Sequence, residues 1–385
     1  MQTIYNLFRD NIRQYGMIIA LVLITGLFWI LTDGINFTPL NLTNLILQNG
    51  FILVLAVGMV LVIITGNIDL SVGSVVAVIG AIAGVLIINM GVPVWIAVIL
   101  SLLAGALIGV WQGFWVAYVG VPSFIVTLGG MLIFRGLTLW LLDGKSLAPF
   151  PDSFQKISGG FIPNIGGGDI HLLTIGLAII LSLALVWIEF RKRSQQLQHQ
   201  LDVLPLWVSL LKLAILISVI NYFMYQLALN KGLPTVLVIV IGLIIIYTFI
   251  MNNTVMGRHV YATGGNRKAA DLSGIKTKRV VFWVFVNNGL LAALAGLMFA
   301  ARLNSATPAA GNMLELDAIA AVFIGGASMA GGVGTVIGAI VGGLVMGVMN
   351  NGMSLIGIGI DWQQTIKGFV LLAAVAFDVY TKNKR

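Results

Sequence analysis

The 385-residue sequence predicts an all-α, polytopic transmembrane helix bundle, and three observations carry that prediction. First, 59% of the residues are hydrophobic and 9% are charged, whereas a soluble globular chain carries about 25% charge. Second, apolar runs of roughly 20 residues recur from end to end, each long enough to cross an approximately 30 Å hydrocarbon layer. Third, most of the 21 Lys and Arg sit in short segments that can all face one side. These are Arg9 and Arg13; Arg191, Lys192 and Arg193; the interval from Arg258 to Arg279; and Lys382, Lys384 and Arg385. This is the positive-inside pattern, and it assigns those segments to the cytoplasm.

The same composition narrows the functional classes. The 46 glycines suit closely packed membrane helices, and with 0 cysteines there is no disulfide framework and no thiol nucleophile. The net charge of +8 is explained by topology. No basic groove interleaved with aromatic residues accompanies it, so nucleic acid is not an expected partner, whereas membrane lipids are.

The elements follow in order, within a single transmembrane domain over residues 1–385. The short basic segment 1–15 precedes an apolar span at 17–32. No small-x-small cleavage site follows it, so it reads as an uncleaved first span. Spans at about 42–65, 68–89, 93–118 and 123–142 come next, with Pro93 and Pro122 at helix starts, where a missing N–H is harmless. Residues 143–170, rich in Pro and Gly, form an outer loop. A span at 171–189 returns to a polar cytoplasmic loop at 190–203. Spans at about 204–228 and 233–251 lead to a second, basic cytoplasmic loop at 252–280. A span at 281–301, a Gly-rich apolar region at 317–350 and a last span near 362–380 complete the chain. The 317–350 region holds either two crossings or broken helices, so the total is about 10–12 spans with both termini cytoplasmic.

An internal echo connects the two halves. Ile68-Asp69-Leu70 precedes a glycine-punctuated span, as does Leu316-Asp317-Ala318, and Gly105, Gly109 and Gly113 have counterparts in Gly334, Gly338 and Gly342. Repeated halves are common in transporters, although glycine-rich apolar sequence also yields such echoes by chance. The glycine series place small residues on one helix face, which favours close packing, with a smooth translocation wall as the other reading.

No nucleotide site is legible. Gly144-Lys145-Ser146 resembles the end of a P-loop, but Leu139 stands where the upstream glycine belongs and no strand precedes it. Asp69, Glu315 and Asp317 lie in or near apolar sequence. Each could cap a helix start or mark an ion site or pathway, and Ser71 shares the first of these breaks. Arg135 could snorkel to the outer interface or line a pathway, and Lys212 and Lys367 are expected to snorkel. His171, His199 and His259 fall in loops or at span ends, and nothing resembles a proton relay or a metal site. Trp111, Trp115 and Tyr118 share one helical face, suited to interface anchoring or to stacking on a sugar.

The longest basic hydrophilic interval is 257–274, GRHVYATGGNRKAADLSG. Asn266 is a good N-cap, 267–273 can form about two helical turns, and Gly274 suits the position past the C-cap. A short capped helix exceeds what charge bias requires.

Four stretches together resemble the permeases of bacterial ABC importers for monosaccharides, of the xylose, multiple-monosaccharide and ribose type. They are GNIDLSVGS (66–74), VPSFIVTLGGMLIFRGL (121–137), GRHVYATGGNRKAADLSGIKTKR (257–279) and ELDAIAAVFIGGASMAGGVGTVIGAIVG (315–342). TDGINFTPLNLTNL (32–45) and FRGLTLWLLDGKS (134–146) are most similar to the xylose and multiple-monosaccharide branch. The resemblance implies the ABC importer permease fold in the bacterial inner membrane, and a transport subunit rather than an enzyme. Its partners would be a second copy of the permease, a cytoplasmic ABC ATPase subunit and a periplasmic sugar-binding protein. ATP and magnesium would sit on the ATPase, with no cofactor on this chain. The coupling segment would comprise Gly265, Asn266, Ala269, Ala270, Asp271, Ser273 and Gly274. D-xylose is the favoured substrate, with arabinose, galactose, glucose and ribose as alternatives. An ion-coupled secondary sugar transporter is the rival class.

Overall fold

The computed structural model describes residues 12–383 other than 166, 167, 169, 200–202 and 204. Arg9, Asp169, Lys384 and Arg385, and the side chains of Arg13 and Lys382, lie outside the described residues. The fold is helical, and among the described residues nine helices are long and apolar enough to cross a membrane.

Helix α1 is Ile12–Leu31 and α2 is Pro39–Ile64. Helix α3, Val72–Gly84, ends in a π turn at Val85–Asn89, and α4, Val94–Phe114, ends in another at Trp115–Val119. Helix α5 is Ser123–Leu142, α6 is Asp152–Gly159, α7 is Leu172–Gln198, α8 is Leu206–Ala228 and α9 is Thr235–Asn253. Two short helices follow, α10 at Val255–Gly265 and α11 at Arg267–Leu272. The chain continues through α12 at Thr277–Leu303, α13 at Leu314–Ile324, α14 at Val336–Leu355 and α15 at Ile360–Asn383. Prolines set several starts: Pro39 opens α2, and Pro93, Pro122, Pro205 and Pro234 immediately precede α4, α5, α8 and α9.

Helix α12 is the axis of the bundle and packs against α2, α3 and α4. Its contact with α4 is backbone on backbone. A Cβ on Gly105 would lie 2.3 Å from that of Ala293, one on Gly109 would lie 2.5 Å from the Phe285 carbonyl, and one on Gly289 would lie 2.4 Å from the Gly105 carbonyl. The 105/109/113 series is therefore a packing surface. Gly338 and Gly342 act likewise against Gly325 and Ala321 of the α13–α14 hairpin, whereas Gly334 lies before the helix. At one end of the bundle a reciprocal amide pair joins α2 to α14: Asn41 Nδ2 donates to Asn351 Oδ1 at 2.8 Å and Asn351 Nδ2 to Asn41 Oδ1 at 3.0 Å. Helices α7 and α8 form a hairpin on the periphery, with α8 touching α2.

Three sequence expectations are corrected. Residues 191–193 continue α7 as helix, so the 190–203 loop begins only after Gln198. Residues 252–280 hold a further helix, α10, ahead of the expected α11, because Thr254 caps it: its side chain accepts from the Gly257 N–H. The outer loop contains α6, anchored by the fully buried Phe154 against α9 and α12, although its Pro and Gly content suggested irregular chain.

The ambiguous 317–350 region resolves into one half-helix, α13, and one full crossing, α14. It has a counterpart at 65–89. Asp69 meets Asn288, near the middle of α12, so the chain turns at the end of α2 and climbs half the bundle before α3 begins. Segment 304–313 descends in the opposite sense: Gly311 and Glu315 pack on Gly73, and α13 then runs toward the end where α2 finishes. The echo between 68–70 and 316–318 thus marks two broken crossings of opposite direction, the arrangement of inverted repeats.

The α4–α12 contact predicts a mutational asymmetry. Gly109→Val should lower the stability of the detergent-purified protein by about 1–3 kcal/mol, read as a fall in its thermal unfolding midpoint. Gly129→Ala, where an added Cβ meets nothing within 4 Å, should leave the midpoint unchanged.

Candidate functional site: two helix breaks and an exposed capped helix

Backbone that leaves a helix within a bilayer must be satisfied from inside the protein. At the first break Asp69 supplies acceptors. Its Oδ1 takes the Ser71 N–H at 2.9 Å and the Ser71 hydroxyl at 2.7 Å, and its Oδ2 takes Asn288 Nδ2 at 2.8 Å. Gln112 Nε2 of α4 donates to Ser71 Oγ, and Thr127 of α5 bonds back to the carbonyl of Ser123. Asp69, Ser71, Gln112, Thr127 and Asn288 are all buried. Asp69 therefore fastens the turn ahead of α3 to α12, and it is not the side-chain cap of the first helical turn that the sequence suggested.

At the second break Asp317 accepts from Lys367 of α15, with Nζ 3.0 Å from Oδ1 and 3.1 Å from Oδ2. Asp317 is buried and Lys367 half-buried, so Lys367 makes an ion pair rather than snorkelling to the interface. Arg135 reaches across from α5 to the descending segment, donating to the carbonyls of Pro308 and Ala310. Glu315 faces Gly73, and its Oε2 is buried without a hydrogen-bond partner. The breaks are therefore stabilised differently, the first by neutral donors and the second by cations. Asn288, Gln112 and the Lys367 partnership were missed from sequence. The signal available was polar residues inside apolar spans.

Other candidates separate from this cluster. Trp111, Trp115 and Tyr118 are exposed on the bundle side, with Trp111 edge-on to Phe134 and Tyr118 against Phe282. The Gly144-Lys145-Ser146 turn is exposed, and Lys145 pairs with Asp143 at 3.3 Å. His171 is buried as the N-cap of α7, its ring accepting from the Thr174 N–H. A cavity of about 300 Å³ opens between α1, α13, α14 and α15, lined by Met17, Ile24, Phe323, Val345, Val370 and Asp378 among others. None of the polar residues at the breaks lines it. Among the described residues no cluster of His, Cys, Asp or Glu could hold a metal.

The predicted capped helix is present as α11. Asn266 Oδ1 accepts the Ala269 N–H at 3.0 Å. At the other end the Gly274 N–H reaches the Asp271 carbonyl and the Ile275 N–H the Ala270 carbonyl, both at 3.0 Å, with Gly274 at φ +83°. Asp271 Oδ1 also accepts the Thr277 hydroxyl at 2.6 Å, tying α11 to the start of α12. Gly265, Asn266, Ala269, Asp271, Ser273 and Gly274 are exposed, whereas Ala270 is buried and turns inward. Leu272, absent from the sequence-derived set, is 90% exposed and is the apolar tip of the helix. In the preceding helix α10, Tyr261 donates its hydroxyl to the Gly334 carbonyl at 2.8 Å. Burial pushes that phenol above its ordinary value, so it stays a neutral donor.

The buried pair gives a direct test. Lys367→Met strands the Asp317 carboxylate and should destabilise the protein by about 3–5 kcal/mol, whereas the double variant Lys367→Met with Asp317→Asn should recover most of that loss. Thermal unfolding of the wild type, Lys367→Met, Asp317→Asn and the double variant in one detergent measures the coupling.

Comparison with known proteins identifies the family. A family model described as "Branched-chain amino acid transport system / permease component" matches residues 41–375. The xylose transport system permease protein of Haemophilus influenzae is 40% identical over 374 residues, covering 97% of this chain and 98% of the relative. The corresponding xylose permease of Escherichia coli K12 is 38% identical, covering 97% and 93%. The ribose import permease protein of Haemophilus influenzae is 33% identical over 377 residues, covering 98% and 96%. No solved structure matches the chain. With a match over most of its length and nine helices among the described residues long and apolar enough to cross a membrane, the chain belongs to this family of polytopic membrane permease components.

Proposed function

We propose that the chain is the membrane-spanning subunit of an ATP-driven, binding-protein-dependent importer of a monosaccharide, with D-xylose the favoured substrate. It works in the inner membrane as a pair of copies, with a cytoplasmic ABC ATPase and a periplasmic sugar-binding protein. The observation that carries this reading is α11: a capped, exposed helix with an apolar tip, set among basic residues on an otherwise apolar bundle. Such a helix suits a groove on a soluble partner, and Leu272 and Ala269 are the side chains suited to fill it. The substrate assignment rests on the relatives, whose names specify xylose and ribose.

In this mechanism no covalent chemistry occurs on the chain. ATP-driven closure of the ATPase pair displaces α11, and the bundle alternates between inward- and outward-facing states. The sugar is handed over at the opposite end of the bundle, where α6 lies.

The test is reconstitution in proteoliposomes with the ATPase and the binding protein. Xylose uptake should require ATP and fall at least about tenfold when the ATPase is inactivated, and leucine should not be taken up. Uptake that persists without ATP hydrolysis, or that collapses with a proton ionophore, would contradict the importer and favour an ion-coupled transporter.

A further inference from the structure

Besides the bond from Asp271 to Thr277 that ties it to α12, the docking helix reaches both helix breaks through one backbone junction. Three chain segments distant in sequence meet there: 63–66 at the end of α2, 264–265 at the end of α10, and 331–334 between α13 and α14. The Gly332 N–H donates to the Ile64 carbonyl at 2.8 Å. A Cβ on Gly264 would lie 1.6 Å from the Ile64 carbonyl oxygen and 2.7 Å from the Gly332 nitrogen. A Cβ on Gly331 would lie 2.8 Å from the Gly264 carbonyl oxygen and 3.1 Å from the Gly66 nitrogen, and one on Gly332 would lie 2.7 Å from the Gly265 Cα. No side chain separates these strands of backbone. The Tyr261 hydroxyl adds a bond from α10 to the Gly334 carbonyl at 2.8 Å.

The positions of these segments give the contact its meaning. Segment 63–66 leads directly into the turn that carries Asp69, and segment 331–334 joins half-helix α13 to α14. Backbone in van der Waals contact cannot absorb a displacement by changing rotamers, as an interface of long side chains can. A shift of α10 and α11 therefore has to move both hairpins together or break the junction.

We infer that Gly264 and Tyr261 are positioning residues that transmit displacement of the docking helix to both broken crossings at once. The inference rests on the importer reading, and adds to it the route by which partner motion reaches the mid-membrane breaks.

The experiment measures sugar accumulated per phosphate released in proteoliposomes holding the complete complex. Tyr261→Phe keeps the ring and removes one hydrogen bond; Gly264→Ala places a methyl group in the junction. Both variants should retain the ATPase on co-purification and hydrolyse ATP within about twofold of wild type, while sugar moved per ATP falls roughly fivefold or more. A merely structural role would lower the amount of complex and leave the ratio intact. If Gly264→Ala does not assemble, Tyr261→Phe decides alone. Wild-type uptake with an unchanged ratio in Tyr261→Phe overturns this inference and leaves the importer standing. A wild-type complex that takes up no sugar overturns the importer reading and this inference with it.

Discussion

The structure depends on one constraint: inside a bilayer, every peptide group that leaves a helix must find its partner within the protein. Two crossings of this bundle are broken near its middle, and Asp69, Ser71, Gln112, Asn288 and Asp317 are buried around them. Asp69 collects the freed donors at the first break, and Arg135 collects carbonyls of the chain that descends to the second. Such breaks are tolerated only when wrapped in protein, which explains why α2, α3, α12 and α14 are the most buried helices and α7 and α8 the least.

The glycines follow from the same constraint. Broken crossings can be enclosed only if the surrounding helices come close, and α4 meets α12 with Gly105, Gly109 and Gly289 where side chains would collide. The charges are arranged just as economically. Asp317 is balanced by Lys367 from α15, so the last helix is fastened to the half-helix and the second hairpin is tied to the rim of the bundle. Asp69 is surrounded by amides and a hydroxyl instead. The two hairpins thus share a geometry, differ in how they are held, and meet at one glycine junction beneath α10.

Much of this was legible in the sequence, for identifiable reasons. Span positions followed from apolar length, helix starts from proline, and α11 from Asn266 and Gly274, whose capping preferences are local and strong. What escaped was non-local. Lys367 looked like a snorkelling end residue because its partner lies fifty positions away, and Ala270 looked like part of an exposed face because the direction of a two-turn helix is set by its packing. Leu272 passed unnoticed because an exposed leucine carries no signal until the fold shows that nothing covers it. The 317–350 region stayed ambiguous because periodicity does not separate a half-helix from a full crossing when both are apolar.

If α11 is the proposed cytoplasmic handle for an ATPase, the absence of cysteine from the chain makes its exposure directly measurable. A single Leu272→Cys variant can be labelled with a membrane-impermeant maleimide in spheroplasts and in inside-out vesicles. Labelling is expected only in inside-out vesicles, with protection once the ATPase subunit is bound. Labelling from the outer side, or labelling that the ATPase does not alter, would contradict it.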